Sequence, residues 1–270
     1  MKFSVLMSIY AKEDPAYFNR AMESIWDDQT KKPDEIVLVE DGVLTKALYE
    51  TIDKWKIKLP DIFKTVALEK NSGLGDALNA GLGVCSYELV ARMDTDDISL
   101  PDRFKKQLKV FTGDSIDICS GFVGEFEKDE NSIVSYRKVP ESDKQIKVFA
   151  KKRNPLNHPA VMFRKSVVEK VGGYRKILWF EDYYLWVRMI QNGAVFYNIQ
   201  EPLVYMRAGY GQLQRRRGVA YASSEIALQK KFLKSGFIGY FEFTRNLCIR
   251  FIVRIIPRKL IRQVYKHLRD

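Results

Sequence analysis

The chain has little of what staples or clips a small domain together. Its 270 residues contain three cysteines, Cys85, Cys119 and Cys248, far apart and with no C-x-x-C pair, and only two histidines. That inventory argues against a disulfide framework and against a structural zinc site, and it fits a reduced, intracellular protein. No Walker A sequence is present, and the first apolar strand is followed by no G-x-G-x-x-G. A bound nucleotide would therefore be held mainly by side chains and a metal, not by a phosphate-cradling loop. The N-terminal apolar run, Phe3 to Ile9, is short, has no small-residue cleavage site and meets Lys12-Glu13-Asp14 at once. It fits a first strand better than a signal peptide.

What is present is 46% apolar residues, enough for one sizeable core or one domain with an appendage. The net charge of +11 is unevenly placed. Residues 1–202 carry 30 Lys and Arg against 31 Asp and Glu, whereas residues 203–270 carry 15 against 3. A uniformly basic surface would suggest nucleic acid as partner. A basic last quarter suggests a specialised tail instead, with no nucleic acid partner.

In chain order, Phe3–Tyr10 reads as a strand and Pro15 to about Asp27 as an amphipathic helix. Glu35–Val39 is a second strand ending in Glu40-Asp41-Gly42, and a helical segment with Leu48, Ile52 and Trp55 follows. Phe63–Leu68 is a third strand, and the Gly-rich Asn71-Ser72-Gly73-Leu74-Gly75 opens a helix to about Leu82. Leu89–Met93 is the fourth strand. Unbroken apolar strands alternating with helices of this length predict βαβ units in a parallel sheet, an α/β fold. Ligands of such sheets bind beyond the carboxyl ends of the strands, where Tyr10, Asp41 and Asp94–Asp97 all fall.

The stretch Ala91-Arg92-Met93-Asp94-Thr95-Asp96-Asp97 dominates this pattern. Three carboxylates in four positions at the end of a buried strand repel one another and raise each other's pKa. A divalent cation, Mg²⁺ or Mn²⁺, would relieve them. The alternative is an acidic loop in which Asp97 or Ser99 caps a helix opening at Pro101. Asp41-Gly42 likewise reads either as a ligand-facing pair or as a plain turn.

Taken together, Ser4–Tyr10, Val39-Glu40-Asp41-Gly42, Asn71-x-Gly73 with Asn79-x-Gly81, and Ala91–Asp97 resemble glycosyltransferase family 2 over roughly residues 1–205. The resemblance implies the GT-A fold, a Rossmann-like nucleotide-sugar domain with a D-x-D metal motif. It is nearest to bacterial enzymes that build O-antigen, capsule or exopolysaccharide units on a lipid carrier. By that resemblance Ile9 and Tyr10 flank the base, Asp41 bonds the uracil, and Asn71 and Gly73 belong to the donor site. Asp94 meets the ribose or the metal, and Asp96 is the principal metal ligand. Arg92 either meets the diphosphate or pairs with neighbouring carboxylates.

The middle of the chain supplies the acceptor side. Ile116–Phe126 and Ser132–Arg137 read as strands, Asn157-His158-Pro159 precedes an apolar run, and Gly172-Gly173-Tyr174 reads as a helix stop. Trp179-Phe180-Glu181-Asp182 opens a helix running to Gly193. Its two acids suit a helix N-terminus, and by the resemblance they also supply the general base, Asp182, with Glu181 positioning it or holding the acceptor. His158 and Trp179 are acceptor-pocket candidates, His158 with a structural role as its alternative.

By the resemblance, Gln212–Arg217 is a loop approaching the diphosphate; the alternative is solvated charge at the start of a helix. The run from Asn246 is too often interrupted by arginine to span a bilayer. It reads as a basic amphipathic helix on an anionic membrane, or as a helix packed on the catalytic domain or on a twin subunit.

The expected activity is inverting, metal-dependent transfer of a UDP-linked hexose to a saccharide on polyprenyl diphosphate, at the cytoplasmic face of the bacterial inner membrane. Residues 1–205 would form the catalytic domain and 206–270 the membrane-associating segment. A GT-A-like nucleotidyltransferase and a silent nucleotide-sugar-binding protein are the competing classes. The first would show a Gly-rich basic loop after strand one, where this chain has Ala11-Lys12-Glu13-Asp14.

Overall fold

The computed structural model describes residues 1–113, 115–208 and 218–255. Its first half alternates β1 (Phe3–Ile9), α1 (Pro15–Trp26), β2 (Glu35–Glu40), α2 (Lys46–Lys58), β3 (Phe63–Ala67), α3 (Leu74–Val84) and β4 (Leu89–Arg92). Local chemistry sets the helix starts. The Asp14 carboxylate accepts from the Ala16 amide at 2.7 Å with Pro15 at the first helical position, and Thr45 caps α2 through the Leu48 amide.

The four strands lie parallel in the order β3-β2-β1-β4. Both sheet faces are covered, so the strands are apolar at nearly every position. Phe3, Val5, Met7, Ile36 and Leu38 pack with Phe18, Met22, Leu48 and Trp55 on the α1–α2 side. Leu6, Val37 and Val39 pack with Ala77, Leu78 and Leu82 of α3 on the other. Helix α3 sits so close that a β-carbon on Gly81 would lie 2.4 Å from Leu6 Cδ1 and 2.6 Å from Val39 Cγ2. The Asn79-x-Gly81 pair thus marks a helix pressed onto the sheet.

The second half widens the same sheet. It comprises β5 (Ile98–Ser99), α4 (Arg103–Val110), β6 (Ile118–Phe126), β7 (Ile133–Arg137), α5 (Asp143–Ala150), a 3₁₀ turn at His158–Ala160, β8 (Met162–Arg164), α6 (Lys165–Lys170), α7 (Glu181–Gln191), β9 (Phe196–Arg207), α8 (Val219–Lys234) and α9 (Tyr240–Ile255). Strand β8 runs antiparallel between β4 and β6, and β9 runs parallel to β6. The path is β3-β2-β1-β4-β8-β6-β9-β5, with β7 on β6.

Several expected boundaries move. The helix expected at Pro101 begins at Arg103, and neither Asp97 nor Ser99 caps it: Ser99 lies in β5 and Asp97 accepts from the Arg207 amide at 3.0 Å. The helix expected from Trp179 begins at Glu181, because Trp179 has φ 69°, a left-handed conformation that a right-handed helix cannot include. Strand β6 starts at Ile118 instead of Ile116. The stretch Gln212–Arg217 and the tail beyond Ile255 lie outside the described residues. Among the described residues, α8 and the inner side of α9 pack on the α7 region, with Tyr221, Leu228, Phe232 and Phe243 against Phe180, Tyr183 and Val187. Among the described residues no helix is long and apolar enough to cross a membrane.

At the amino edge of the sheet, β2 begins with a buried carboxylate. Glu35 accepts from Ser4 Oγ (2.5 Å), Lys64 Nζ (2.7 Å), Ser86 N (2.8 Å) and Ser86 Oγ (2.7 Å). Burial alone would raise its pKa, but these donors outweigh it and hold it at about 2. Its stabilisation is therefore full above the ordinary carboxylate pKa and is lost as the pH falls towards 2. Glu35→Gln should be less stable than the native chain at pH 7, by about 1–3 kcal/mol in urea unfolding. The two should converge as the pH is lowered through 4.5 towards 2.

Candidate functional site

The connection from β1 through α1 goes outward to β2, while β3 returns through α3 to β4 on the other side of β1. This reversal opens a crevice beyond the carboxyl ends of β1 and β4. Ile9 ends β1, Asp41 follows β2, and the acidic loop follows β4.

The acidic loop rests on buried cations. Arg92, with no exposed surface, pairs with Asp94, which is the carboxylate-pairing alternative expected for it. Below it Arg103 is equally buried and touches no carboxylate. Its guanidinium donates to the Arg92 carbonyl (2.6 Å), the Val161 carbonyl (3.4 Å), Gln107 Oε1 (3.0 Å) and Met93 Sδ (3.2 Å). Burial lowers Arg103 to about 9. Arg207, at the end of β9, stacks 3.7 Å from the Tyr17 ring centroid and 4.7 Å from that of Phe126.

These cations leave the loop short of full compensation. Burial, then Asp94, raises Asp96 to about 6, against the lowering effect of Arg92 and Arg207. Asp97 is pushed well above the usual carboxylate range by burial, then by Asp96 and Asp94. The repulsion expected from three carboxylates in four positions is thus present in the fold.

Beside this loop, Asp41 is more than a turn residue. Its carboxylate accepts from the amides of Ser72 (2.7 Å) and Gly73 (3.1 Å), and its carbonyl accepts from Asn71 Nδ2 (3.3 Å). Asp41, Asn71 and Gly73 therefore form one unit, in which the carboxylate shapes the loop that opens α3.

Of the two pocket candidates, Trp179 packs on Tyr221, whereas His158 lies against Tyr174. Asn79 of α3 grips that residue's backbone twice: Nδ2 donates to the Tyr174 carbonyl (2.8 Å), and Oδ1 accepts from its amide (2.7 Å). Arg188 of α7 donates to the carbonyls of Val171 and Gly173, each at 2.5 Å. The phenol meets His158 Nε2 at 3.0 Å. His158 also lies 6.0 Å from the Trp186 ring, and burial, then Arg92, holds its pKa well below the ordinary value. It is a neutral imidazole bonded within the wall of the site. Burial raises the Tyr174 phenol, and among charged neighbours Arg92 lowers it while Asp182 and Asp94 raise it. The two acidic segments therefore bear on one side chain.

Asp182 is fixed at both oxygens: Oδ1 accepts from the Tyr183 amide and Oδ2 from Asn154 Nδ2, each at 2.7 Å. Glu181 stands against the first turn of α3, where Gly75 makes room for it; a β-carbon there would lie 3.2 Å from Glu181 Cγ. Burial, then Asp182, raises Glu181 to about 7. Trp179, 37% exposed and left-handed, lays its ring 5.3 Å from Tyr221 of α8. A bulky residue at positive φ costs about 1–3 kcal/mol and persists only where its surroundings impose it.

The family model described as glycosyl transferase family 2 matches residues 4–172. The chain belongs to glycosyltransferase family 2. Over 98% of its length it is 41% identical to a protein of Escherichia coli, "UDP-Gal:alpha-D-GlcNAc-diphosphoundecaprenol beta-1,3-galactosyltransferase", covering 95% of that protein. It is 40% identical to the "amylovoran biosynthesis glycosyltransferase AmsE" of Erwinia amylovora, with 98% of both chains covered. Among solved structures it is similar to S. aureus TarS in complex with UDP-GlcNAc, at TM-score 0.67 and 18% identity, covering 92% of this chain and 70% of that one. A mannosyltransferase of Pyrobaculum calidifontis, solved with GDP-Man and Mn²⁺, gives TM-score 0.66 at 16% identity, covering 91% and 68%. The fold is GT-A.

For this glycosyltransferase the donor set of the acidic loop is oxygen-only, which suits Mg²⁺ or Mn²⁺. Among the described residues no three His, Cys, Asp or Glu side chains are grouped to hold a metal. Mg²⁺ commonly takes one or two protein carboxylates and completes its shell with substrate phosphates and water. The proton affinity of Asp96, raised by burial and by Asp94, marks a place where a cation would relieve charge. The pair fits that role.

Sequence reasoning missed the supports. Arg103 and Asn154 carried no motif; Asn154-Pro155 signals a turn but not the helix that its side chain meets. Asn79 was part of a motif, but its grip on Tyr174 is visible only in three dimensions.

The raised pKa of Glu181 has a consequence for stability. A carboxyl whose folded pKa exceeds its unfolded one favours folding below the unfolded value, and that contribution is lost as the pH rises through the folded one. Glu181→Gln should therefore gain stability relative to the native glycosyltransferase between pH 4.5 and about 7. Above that range the difference should stay constant, as thermal unfolding at pH 5 and pH 8 would reveal.

Proposed function

We propose that this glycosyltransferase moves a hexose from a UDP-linked donor onto a saccharide carried by polyprenyl diphosphate, inverting the anomeric centre, in the assembly of a bacterial surface polysaccharide. The work would be done at the cytoplasmic face of the inner membrane, by a catalytic domain of residues 1–205 and a membrane-associating segment of 206–270. The reading is supported by two features of the buried Tyr174: its phenol meets His158 and is influenced electrostatically by Asp94 of the acidic loop and by Asp182, and Gly75 of α3 lies between its side chain and that of Glu181. One acidic segment suits a donor diphosphate with its cation, and the other suits an acceptor hydroxyl. The lipid-linked acceptor and the UDP-linked sugar are supported by the extent of similarity to the named galactosyltransferase.

In this mechanism Ile9, Tyr10, Asp41, Asn71 and Gly73 line the nucleotide side, and Arg92 keeps Asp94 in place. Asp96 and Asp94 would hold a divalent cation. When bound, such a cation stabilises the charge that develops on the departing diphosphate. Asp182 takes the proton of the acceptor hydroxyl onto its carboxylate as the oxygen attacks C1 in line. The amide of Tyr183 and the side chain of Asn154 aim that carboxylate. Glu181 and Trp179 hold acceptor hydroxyls and a sugar face, and His158 stays neutral as part of the wall.

A second assignment rests on one observation, the Glu181 carboxyl at about 7, which is close to the ideal for a general base at neutral pH. Rates of nucleoside diphosphate release separate the two. With Asp182 as base, Asp182→Asn should lower kcat by roughly 10²–10⁴ with donor affinity unchanged in calorimetry, and Glu181→Gln should mainly raise the acceptor KM. If instead Glu181→Gln removes an acidic limb centred near pH 7 from the kcat/KM profile and Asp182→Asn spares kcat, Glu181 is the base.

Metal dependence has its own test. Asp96→Ala should abolish transfer without lowering the thermal transition at pH 7, since the side chain removed is a carboxylate that burial and Asp94 disfavour in its charged form. Full turnover by that variant, or by the native enzyme in excess chelator, would rule the cation out.

A further inference from the structure

The C-terminal helices have two sides of opposite character. Residues 203–270 hold three acids, and the two within the described region, Glu225 and Glu242, are both turned inward. Glu225 pairs with Arg250. Glu242 pairs with Lys151 of the catalytic domain at 3.2 Å and accepts from the Gly239 amide at 2.8 Å. The same inner side is fixed by Asn246, whose Nδ2 donates to the Lys151 carbonyl (2.8 Å) and to Gln229 Oε1 (2.9 Å).

The outward side of α9 carries no acid. Tyr240 and Phe241 are each 80% exposed, with Thr244 and Cys248, also exposed, beside them at helical spacing. Two neighbouring aromatic rings left in water are unusual on a helix whose other side is so thoroughly bonded. The chain reaches this helix from exposed Lys230 and Lys234 on α8, and residues 256–270 beyond it add five basic residues against one acid.

We propose that the outward face of α9, led by Tyr240 and Phe241, is a docking surface for an anionic lipid bilayer. This rests on the reading of a lipid-linked acceptor given above and names the side chains that meet the membrane. The charge balance selects this occupant. A second copy of the chain would bring the same basic segment against itself, whereas anionic headgroups complement it. Aromatic rings settle at the headgroup boundary, and lysines and arginines remain in the polar layer.

The three cysteines supply a built-in probe. Cys85 and Cys119 are buried, and burial pushes both thiols up to about 12, so maleimide should react at Cys248 alone. Incubating the full chain with vesicles of phosphatidylethanolamine and phosphatidylglycerol should slow Cys248 alkylation at least about fivefold, while phosphatidylcholine vesicles should leave it unchanged. The double variant Tyr240→Ser/Phe241→Ser should lose about tenfold or more in affinity for the anionic vesicles, as expected for removing buried aromatic surface. Its transfer to a short-chain, water-soluble acceptor should match the native rate.

Undiminished alkylation on anionic vesicles, or unchanged sedimentation of the double variant with them, would overturn the proposal. So would Cys248 protection that grows with protein concentration in the absence of lipid, together with a dimer in sedimentation velocity, since the face would then belong to a second copy. A native chain that docks as expected but transfers sugar to no lipid-linked or soluble acceptor would refute the proposed function and leave the docking surface standing.

Discussion

The constraint on which the site depends is the gathering of negative charge at the end of β4. Three carboxylates in four residues could not be held there by hydrogen bonds alone, and the fold answers with cations placed underneath. Arg92 pairs with Asp94, and Arg103 delivers a buried charge through carbonyls and a thioether without neutralising any acid directly. Arg207 bears on Asp96 from the end of β9. The compensation is incomplete, since Asp96 and Asp97 still hold their protons more tightly than an ordinary carboxylate. Glu35 at the opposite edge of the sheet shows what full compensation achieves. Four donors surround it and its pKa falls to about 2. One carboxylate is satisfied by the protein, whereas the others leave charge for a ligand to meet.

The loop that opens α3 and the wall around Tyr174 are tied together by side chains that grip backbone. Asp41 closes the loop at the start of α3 by holding the Ser72 and Gly73 amides. Six residues beyond Gly73, Asn79 holds the Tyr174 backbone, so α3 links the Asp41 loop to the Tyr174 wall. Gly81 lets this helix lie close on β1 and β2, which fixes the height of both grips above the sheet.

Much of this order was legible in the sequence because it is local. Unbroken apolar runs alternating with helical segments predict the four parallel strands and the strand-end positions of Asp41 and Asp94–Asp97. What local patterns do not carry is which distant residue supports a given one. Asn154 and Asp182 meet only because α7 packs beside the loop after α5, and Arg103 lies under β4 only because α4 folds back. The start of α7 was misjudged for a similar reason. Nothing in Trp179-Phe180-Glu181-Asp182 announces a left-handed tryptophan, a conformation imposed by tertiary contacts and absent from the residue's own preferences.

The same tryptophan ties the tail to the chemistry. Its ring and that of Phe180 both lie against Tyr221 of α8, at 5.3 and 5.0 Å, so the residues leading into Glu181 and Asp182 are packed by the C-terminal helices. Further along, Phe232 meets Tyr183, one residue after Asp182, edge to face with ring centroids 5.0 Å apart. The helices that hold the candidate base in place are continuous with the helix whose outer face is apolar and acid-free. Because the inner face is fixed by Asn246, Glu225 and Glu242, a surface seated against the outer face would lie at a set distance from Asp182. Packing that first looks like an alternative to membrane association is therefore what would make such association useful. A tail bonded rigidly to the α7 helix can transmit the position of a bilayer to an acceptor hydroxyl, and a loosely tethered one could not.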